Sequence, residues 1–175
     1  VHVAGTNGKG SACAMLSSVL MASGYRTGLY TSPYIRRFNE RMQINGVDIP
    51  DAELARLTER IIPLVEKMDD PPSQFEVITA IAMQWFLEKG CDVVVLEVGL
   101  GGELDSTNVI DSPAAAVIMN IGLEHTEYPG NTIASVASAK AGIIKPGCPV
   151  VCYDSGSESE EVFRSRCREV GASYI

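Results

Sequence analysis

Apolar residues along the chain follow two alternating patterns. Short stretches at residues 1–4, 26–31, 92–98, 114–121 and 149–153 predict strands, and residues 92–98 and 114–121 are the nearly continuous apolar runs typical of central parallel strands. Helical spacing of apolar residues predicts helices over about residues 10–23, 75–89, 132–141 and 158–170. A further helix is expected to be capped by Asp51 and to carry one apolar stripe formed by Leu54, Leu57, Ile61 and Leu64. Alternating strands and helices predict an α/β fold with a doubly wound, mostly parallel sheet.

The segments between these elements carry polar and charged residues. Residues 34–43 are charged and irregular, which suits an exposed loop, and residues 44–47 predict a turn between two short strands. The last four residues resemble the start of a further strand. Because ligands on doubly wound sheets bind at the carboxyl ends of the strands, residues that follow strands are the first candidates for function.

Composition and charge narrow the class of protein. The 175 residues fit one domain, and 46% hydrophobic against 21% charged residues predict a globular chain with a sizeable core. The net charge of -8 and the pI near 4.7 argue against a nucleic-acid partner, so an anionic ligand must be held by local groups. No apolar run reaches the roughly 18 residues of a membrane span, and we expect no signal peptide.

The cysteines and the ends of the chain suggest its setting. The five scattered cysteines are expected to be free thiols, which favours a reducing compartment, and we expect a cytoplasmic monomer. The chain starts almost within one strand and stops in another. We therefore expect residues 1–175 to be a single domain that is a fragment of a longer protein.

The run AGTNGKGS, from Ala4 to Ser11, predicts a phosphate-binding loop between a strand and a helix. Glycines let the backbone curl around an oxyanion, and the following helix directs its positive end at it. Lys9 can reach the β- and γ-phosphates and the Ser11 hydroxyl can coordinate Mg²⁺, so ATP is the expected nucleotide. The residues of this loop are Gly5, Thr6, Asn7, Gly8, Lys9, Gly10 and Ser11. An ordinary glycine-rich turn is the alternative, because Val3 and Gly10 stand where the usual pattern has Gly and Ser or Thr.

Three residues that end or follow later elements are candidates for metal chemistry. Glu97 ends an apolar strand, where a carboxylate is costly without a cation, and Mg²⁺ shared with Ser11 would supply one. A capping or salt-bridged glutamate is the alternative. His125 follows the strand that ends near residue 121, and its chemistry alone leaves ligation and a structural hydrogen bond equally open. Lys140 cannot bind a metal as an ammonium, because that group has no lone pair.

The loop sequence GTNGKGS, with one extra residue between Lys9 and Ser11, resembles the Mur ligases and their relatives, the folylpolyglutamate and dihydrofolate synthases. The resemblance continues through YTSPYIRRFNERMQING, FEVITA, VVVLEVGLGGELDSTN, IGLEHTEYPGNT and KAGIIKPG, several of which look specific to the folate branch. It implies the fold of the Mur-ligase central domain and an ATP- and Mg²⁺-dependent ligase. The implied reaction adds L-glutamate to the carboxylate of folate or dihydropteroate through an acyl phosphate.

The resemblance also implies roles for the candidate metal and catalytic residues. Glu97 would ligate Mg²⁺ together with Ser11, and His125 would ligate a second Mg²⁺. Lys140 would be carbamylated by CO₂, which turns its cation into a carboxylate-like metal ligand. An unmodified Lys140 that pairs with a phosphate or an acid is the alternative. Lys9, Lys140 and His125 are the expected catalytic residues.

A substrate site is implied as well, partly in the loop that follows the second strand. Its expected residues are Ser32, Pro33, Tyr34, Arg41, Phe75, Asp105, Ser106 and Asn108. Phe75 would offer its ring to a pterin and Asp105 would accept hydrogen bonds from it, with core packing and turn formation as the alternatives. The chain departs from the common family pattern at Tyr34 for His, Glu103 for Arg, Ser106 for Ala and Glu124 for Asp. The reversed charge at Glu103 leaves the preferred folate form and the tolerance for glutamate tails open.

The family's C-terminal domain closes over ATP and helps to bind glutamate, and nothing in these residues matches it. We therefore expect the 175 residues alone to bind nucleotide weakly and to show little or no ligase turnover. A Mur-type cell-wall ligase, an NTPase that couples hydrolysis to motion and a non-catalytic nucleotide-binding domain are the alternatives. The motifs do not separate dihydrofolate synthase from folylpolyglutamate synthase activity.

Overall fold

A computed structural model describes residues 1–123 and 132–175 of the chain. In chain order the elements are β1 (His2–Ala4), α1 (Lys9–Ala22), β2 (Thr27–Tyr30), a 3₁₀ helix (Phe38–Arg41), β3 (Met42–Ile44), β4 (Val47–Asp48), α2 (Asp51–Val65), α3 (Gln74–Glu88), β5 (Val93–Glu97), β6 (Ala116–Ile118), α4 (Ile133–Ala141), β7 (Pro149–Cys152), α5 (Ser157–Val170) and β8 (Ser173–Tyr174). They form two compact units: unit 1 comprises Val1–Cys13 and Leu96–Ile175, and unit 2 comprises Ala14–Val95. Unit 2 is therefore inserted in the sequence of unit 1.

Unit 1 contains parallel strands covered by helices. Its strands are hydrogen-bonded in the order β5-β1-β6-β7-β8, and each of these pairs is parallel. His2 lies opposite Leu96 on one side and Ala116 on the other, so β1 is paired along both edges. Helices α4 and α5 pack together, and one buried core includes Ile118 of β6 and Phe163 of α5. This arrangement confirms the predicted α/β class.

Unit 2 combines antiparallel strands with helices α2 and α3 and the larger part of α1. β2, β3 and β4 pair in that order, each antiparallel to the next. The turn predicted at residues 44–47 joins β3 to β4, and Asn45 and Gly46 have positive φ angles of 49° and 74°, as a type I′ turn requires. Helix α3 begins at a capping box formed by Ser73 and Glu76 and buries a face that includes Trp85.

Some details of the predicted elements are wrong. Asp51 is not the cap of α2, because the helix begins at this residue and Pro50 is its N-cap. The apolar stripe of α2 is only partly covered: Leu57 is buried, whereas Leu64 is 61% exposed. Residues 38–41 form a 3₁₀ helix within the segment predicted to be irregular. Strands β5 and β6 are shorter than their apolar runs, because a strand ends with its ladder of hydrogen bonds rather than with its last apolar residue.

The thiols agree with the prediction. All five cysteines are free. Burial raises the pKa of Cys13 and of Cys152 to about 12, so neither forms a reactive thiolate near neutral pH. In the part of the chain that the structure describes, no helix combines the length and the apolar character that crossing a membrane requires.

Candidate functional site

The phosphate loop connects β1 to α1 in unit 1. Gly5 and Gly8 have φ angles of 146° and 83°, a region that side-chain-bearing residues rarely adopt. A Cβ on Gly5 would lie 2.6 Å from the Cβ of Met119, so the loop passes directly against the segment that follows β6. Because α1 begins at Lys9, the loop runs into the positive end of a helix. The backbone therefore has the form of an anion site.

Thr6 anchors this loop. Its N–H donates to the carbonyl of Asn120 at 2.8 Å, and its hydroxyl donates to the carbonyl of Gly122 at 3.1 Å. The same hydroxyl oxygen accepts the N–H of Gly122, also at 3.1 Å. Both polar groups of Thr6 thus hold the loop to the chain after β6, which favours a shaping role for Thr6 over direct contact with a phosphate.

The Lys9 ammonium lies back over the loop. Its Nζ donates to the carbonyl oxygens of Gly5 at 2.9 Å and Thr6 at 3.2 Å. Bonds between two ions are stronger than bonds from an ammonium to neutral carbonyls. Lys9 can therefore exchange these contacts for phosphate oxygens while it stays at the loop.

The Glu97 carboxylate lies against the first turn of α1. Glu97 ends β5 and only 5% of its surface is exposed. A Cβ on Gly10 would lie 3.6 Å from Oε1 and 3.7 Å from Oε2 of Glu97. Ser11, the next residue of this turn, is exposed. A buried carboxylate beside the phosphate loop and an exposed hydroxyl in the same turn are the oxygen ligands that Mg²⁺ favours.

The structure describes only part of the predicted metal set. His125 and Glu124 lie outside the described residues. Within residues 1–123 and 132–175, no group of three or more His, Cys, Asp and Glu side chains is close enough to hold a metal ion. Glu97 and Ser11 would therefore need further oxygen ligands, which phosphate groups and water supply at Mg²⁺ sites.

Lys140 lies one residue before the end of α4 and is 2% exposed. The loop after β5 packs directly on this helix end: a Cβ on Gly102 would lie 2.7 Å from the carbonyl oxygen of Ala139 and 3.0 Å from the Cα of Lys140. The N–H of Glu103 donates to the same carbonyl of Ala139 at 2.8 Å. Glycine at position 102 is what permits this approach, and it fixes the loop against the turn that carries Lys140.

Asp105 organises the loop after β5. Its Oδ2 accepts the N–H of Leu100 at 2.9 Å. Its Oδ1 accepts both the N–H of Thr107 at 2.9 Å and the Thr107 hydroxyl at 2.5 Å. Asp105 thus fills the turn-forming role that was the alternative to substrate binding, and its remaining acceptor capacity is what a substrate could use.

Asn108 joins the same loop to the end of α4. Its Nδ2 donates to the carbonyl oxygens of Glu103 at 2.9 Å and Gly142 at 3.2 Å. Ser106, between Asp105 and Thr107, is partly exposed. Asn108 therefore has a structural role of its own, whichever role it has toward a substrate.

Sequence reasoning missed His2 and Thr107, which both have 0% of their surface exposed. His2 Nε2 and Thr107 Oγ1 are 2.8 Å apart. Burial lowers the pKa of His2 to about 4, against a smaller opposing effect of the Asp105 carboxylate, so the imidazole is neutral at neutral pH. A signal was present, because His2 is the one ionisable residue of the apolar run at residues 1–4.

In unit 2, the Arg41 guanidinium lies against two aromatic rings. Its Cζ is 5.4 Å from the ring centroid of Tyr34 and 5.7 Å from that of Phe38, and the two rings meet edge to face at 5.9 Å. The Nε of Arg41 is buried and has no hydrogen-bond partner among the described residues. Tyr34 is 45% exposed. The structure thus groups two predicted substrate residues with Phe38, which was not predicted.

Glu40 holds the segment next to this cluster. One carboxylate oxygen accepts the N–H groups of Ile35 at 2.9 Å and Arg36 at 3.1 Å, and the other accepts that of Arg37 at 3.1 Å. These bonds, with that of Ile35 the largest contribution, hold the pKa of Glu40 below its ordinary value. Glu40 was not predicted either, because the local sequence does not show three N–H groups closing on one carboxylate.

The remaining predicted residues of unit 2 are distributed between core and loop. Phe75 is half-buried near the start of α3, and its ring centroid is 6.0 Å from that of the buried Tyr30. The Tyr30 hydroxyl forms a hydrogen bond with Thr79 at 3.0 Å. This packing supports the core alternative for one face of the Phe75 ring. Ser32 and Pro33 precede Tyr34 and are joined by a cis peptide bond.

The chain is similar in sequence and structure to several known proteins. Dihydrofolate synthase/folylpolyglutamate synthase of Bacillus subtilis is 44% identical over 178 aligned positions, which take in 99% of this chain and 41% of that protein. A solved complex of FPGS with AMPPCP and folate matches with a TM-score of 0.94 at 42% identity, over 99% of this chain and 43% of that one. A bifunctional folylpolyglutamate synthase/dihydrofolate synthase of Yersinia pestis, complexed with AMPPNP and Mn ion, matches with a TM-score of 0.90 at 38% identity, over 99% of this chain and 41% of that one.

The chain therefore spans about two fifths of the length of these relatives. A profile of the Mur ligase middle domain matches residues 3–153. Those residues include the whole phosphate loop, Glu97 and Lys140. Because the profile covers most of the chain's 175 residues, the chain belongs to the Mur ligase middle domain family.

Proposed function

We propose that this chain is the ATP-binding part of a ligase that joins L-glutamate to the carboxylate of folate or dihydropteroate. The observation that carries the proposal is the buried Glu97 carboxylate beside Gly10 of the phosphate loop, since it combines a nucleotide site with a divalent-metal ligand. The proposal is supported by relatives named as folylpolyglutamate and dihydrofolate synthases and by a related structure that contains folate. AMPPCP and AMPPNP, present in related structures, are analogues of ATP.

The phosphate loop would hold and orient the nucleotide. Gly5 and Gly8 give the loop its curvature, and Thr6 fixes it to the chain after β6. Lys9 would offset the negative charge that the transferred phosphoryl group carries. Because phosphoryl transfer needs positioning and charge neutralisation more than covalent help, these groups supply the chemistry expected of this unit.

The metal ligands of the proposal are Ser11, Glu97, His125 and a carbamylated Lys140, arranged as two Mg²⁺ sites. The hydroxyl, carboxylate and carbamate oxygens fit, because they are hard ligands. The imidazole of His125 is an uncommon Mg²⁺ ligand, and its place in the set rests on the family resemblance. Bound Mg²⁺ would neutralise phosphate charge. The burial of both Glu97 and Lys140 fits sites from which bulk water is excluded.

The reaction would proceed in two transfers. A substrate carboxylate oxygen attacks the γ-phosphorus and ADP leaves, which forms an acyl phosphate. The amino group of glutamate then attacks the acyl carbon, inorganic phosphate leaves, and an amide bond forms. In unit 1, Lys9 and the loop would serve the first transfer, and Asp105, Ser106 and Asn108 would contact the substrate.

In unit 2, the exposed Tyr34 ring and the Arg41 guanidinium would offer a flat surface and a positive charge to an aromatic, carboxylate-bearing substrate. The rings of Tyr34 and Phe38 hold the Arg41 guanidinium in place for this role. The open face of Phe75, together with Ser32 and Pro33, would complete the contribution of this unit. The cytoplasm is the proposed location.

The test is an ADP-release assay of the full-length protein with ATP and glutamate, given first dihydropteroate and then tetrahydrofolate. We expect ADP release only when glutamate and at least one of these acceptors are present. Lys9→Ala should lower the rate by about a hundredfold. Lys67→Ala, which changes an exposed lysine of unit 2, is the matched control.

Other results would point to the alternatives. ADP release without any acceptor would indicate an NTPase, and activity only with a UDP-linked peptide would indicate a cell-wall ligase. Nucleotide binding without turnover under all conditions would leave a non-catalytic domain. The two acceptors also separate dihydrofolate synthase from folylpolyglutamate synthase activity.

A further inference from the structure

Three side chains form a hydrogen-bond relay inside unit 1. His2 lies on β1, Thr107 lies in the loop after β5, and Asp105 lies two residues before it. His2 Nε2 is 2.8 Å from Thr107 Oγ1, and the Thr107 hydroxyl donates to Asp105 Oδ1 at 2.5 Å. The relay therefore joins the strand that leads into the phosphate loop to a residue expected to contact the substrate.

The direction of the relay follows from counting protons. The Thr107 hydroxyl has one proton and donates it to Asp105, so its oxygen must accept from His2. His2 is consequently the tautomer with its proton on Nε2. The other ring nitrogen, Nδ1, is buried and has no hydrogen-bond partner among the described residues, which agrees with an unprotonated nitrogen there.

The relay leaves Asp105 with one free acceptor position. A carboxylate offers about four lone-pair positions. At Asp105 the Thr107 N–H and hydroxyl fill two positions on Oδ1, and the Leu100 N–H fills one on Oδ2. One position on Oδ2 remains, and the residue is partly exposed. A ligand that donates one N–H group would match it.

We propose that Thr107 and His2 are positioning residues, which hold the Asp105 carboxylate so that its remaining Oδ2 lone pair accepts an N–H of the substrate's heterocyclic ring. The inference rests on the proposed function, because folate or dihydropteroate supplies that ring. Thr107 acts on Asp105 directly, and His2 acts through Thr107 by fixing the orientation of its hydroxyl. Neither residue touches the substrate, since both are fully buried.

The main test compares Thr107→Val with Thr107→Ser in the full-length protein. Valine has nearly the shape of threonine but no hydroxyl, whereas serine keeps the hydroxyl and loses a methyl group. We expect Thr107→Val to raise the KM for the pteridine substrate about tenfold and to leave the KM for ATP unchanged, because the bond lost orients Asp105 alone. Thr107→Ser should stay close to wild type. Equal effects of the two variants, or equal increases in both KM values, would overturn the proposal.

A second measurement does not depend on catalysis. In ¹⁵N-histidine NMR of the full-length protein, the His2 signals, identified by their loss in His2→Gln, should show a neutral ring with its proton on Nε2. Thr107→Val should shift the Nε2 signal and Thr107→Ser should largely keep it. A proton on Nδ1, or a ring insensitive to Thr107→Val, would overturn the relay even if the enzyme proves active.

Different results would overturn the proposed function and the positioning role of Thr107 and His2. A wild-type protein that ligates glutamate, with folate affinity by calorimetry that is equal in Thr107→Val and Thr107→Ser, would overturn this inference and leave the proposed function standing. A wild-type protein that does not ligate glutamate would overturn the proposed function. The same calorimetric comparison then still decides the inference, and absence of folate binding in the wild type would overturn it too.

Discussion

Lys140 undergoes the largest chemical change among the proposed roles, because carbamylation turns a cationic side chain into an anion. Only 2% of the surface of Lys140 is exposed. The charge of the ammonium or of the carbamate must therefore be balanced by groups inside the protein. In the proposed site a metal ion near the phosphates would balance the carbamate. The position at the end of α4, packed under the backbone of Gly102, leaves the side chain little freedom to serve elsewhere.

We expect Lys140→Ala to lower glutamate-dependent ADP release by about a hundredfold, because the metal ion that would neutralise phosphate charge loses a ligand. Acetate or formate should restore part of the activity by replacing the carbamate oxygens. The assay uses the full-length protein with Lys67→Ala as control. Carbamate can be detected by NMR after exchange with ¹³C-bicarbonate. If the carbamate signal and the rescue by acetate or formate are both absent, Lys140 works as an ordinary ammonium.

His2 makes stability depend on pH. Its pKa in the folded chain is about 4, below the ordinary 6.5, because burial disfavours the charged ring. Between these pH values the unfolded chain binds a proton that the folded chain does not, so acidification favours unfolding. We expect the free energy of unfolding to fall by up to about 3 kcal/mol from this residue as the pH drops from 6.5 to 4. Urea titrations of wild type and His2→Gln check it, and equal slopes with pH in the two proteins would contradict the assignment.

Among the elements, the loop after β5 packs on the end of α4 through backbone atoms, because Gly102 has no side chain. A Cβ on Gly102 would meet backbone atoms at 2.7 and 3.0 Å, whereas one on Gly122 would meet side-chain atoms at 3.7 and 3.9 Å. We expect Gly102→Ala to lower the free energy of unfolding by about 1–3 kcal/mol, because the loop must move away from the helix. Gly122→Ala is the matched control and should change it little. Chemical denaturation measures both, and equal stabilities would show that the loop yields freely.

The sequence predicted the elements well where their signals are local. The turn at Asn45 and Gly46 depends on a few adjacent residues, so it could be predicted without the fold. The capping box at Ser73 and Glu76 is equally local but was not predicted. The stripe of α2 shows the opposite case. Periodicity identifies an apolar face, but only tertiary packing decides whether a residue such as Leu64 is covered.

In the candidate site too, residues with a local sequence signal could be predicted, whereas contacts made by the tertiary fold could not. The phosphate loop is one continuous run, and its glycines and Lys9 could be predicted directly. His2 and Thr107 are 105 residues apart in sequence, and their contact exists only because the fold brings β1 and the loop after β5 together. Phe38 and Glu40 were missed for a related reason, since the 3₁₀ helix that places them has no clear periodic signal.

At the scale of the whole molecule, the candidate residues are divided between the two units. Unit 1 carries the phosphate loop, Glu97, Lys140 and Asp105, and unit 2 carries the Tyr34 and Arg41 cluster. The chain spans about two fifths of its matched relatives, whose remaining length has no counterpart among these residues.

We expect the 175 residues alone to bind ATP analogues weakly and to release little or no ADP in response to glutamate. The physical reason is that a ligase must enclose ATP, the carboxylate substrate and glutamate, and the family resemblance assigns part of that enclosure to a C-terminal domain. Calorimetry with AMPPCP and the ADP-release assay, run on these residues and on the full-length protein, check the two parts. Robust glutamate-dependent turnover by the 175 residues would contradict the expectation.

The insertion of unit 2 within unit 1 has a consequence for biosynthesis. β1 is synthesised before unit 2, but the residues with which it pairs, Leu96 and Glu97 at the end of β5 and those of β6, leave the ribosome only after unit 2 is complete. Domains form as units during translation, and parallel pairing between distant segments is slow. β1, and with it the phosphate loop that follows it, must therefore remain without its neighbouring strands until all of unit 2 has been synthesised.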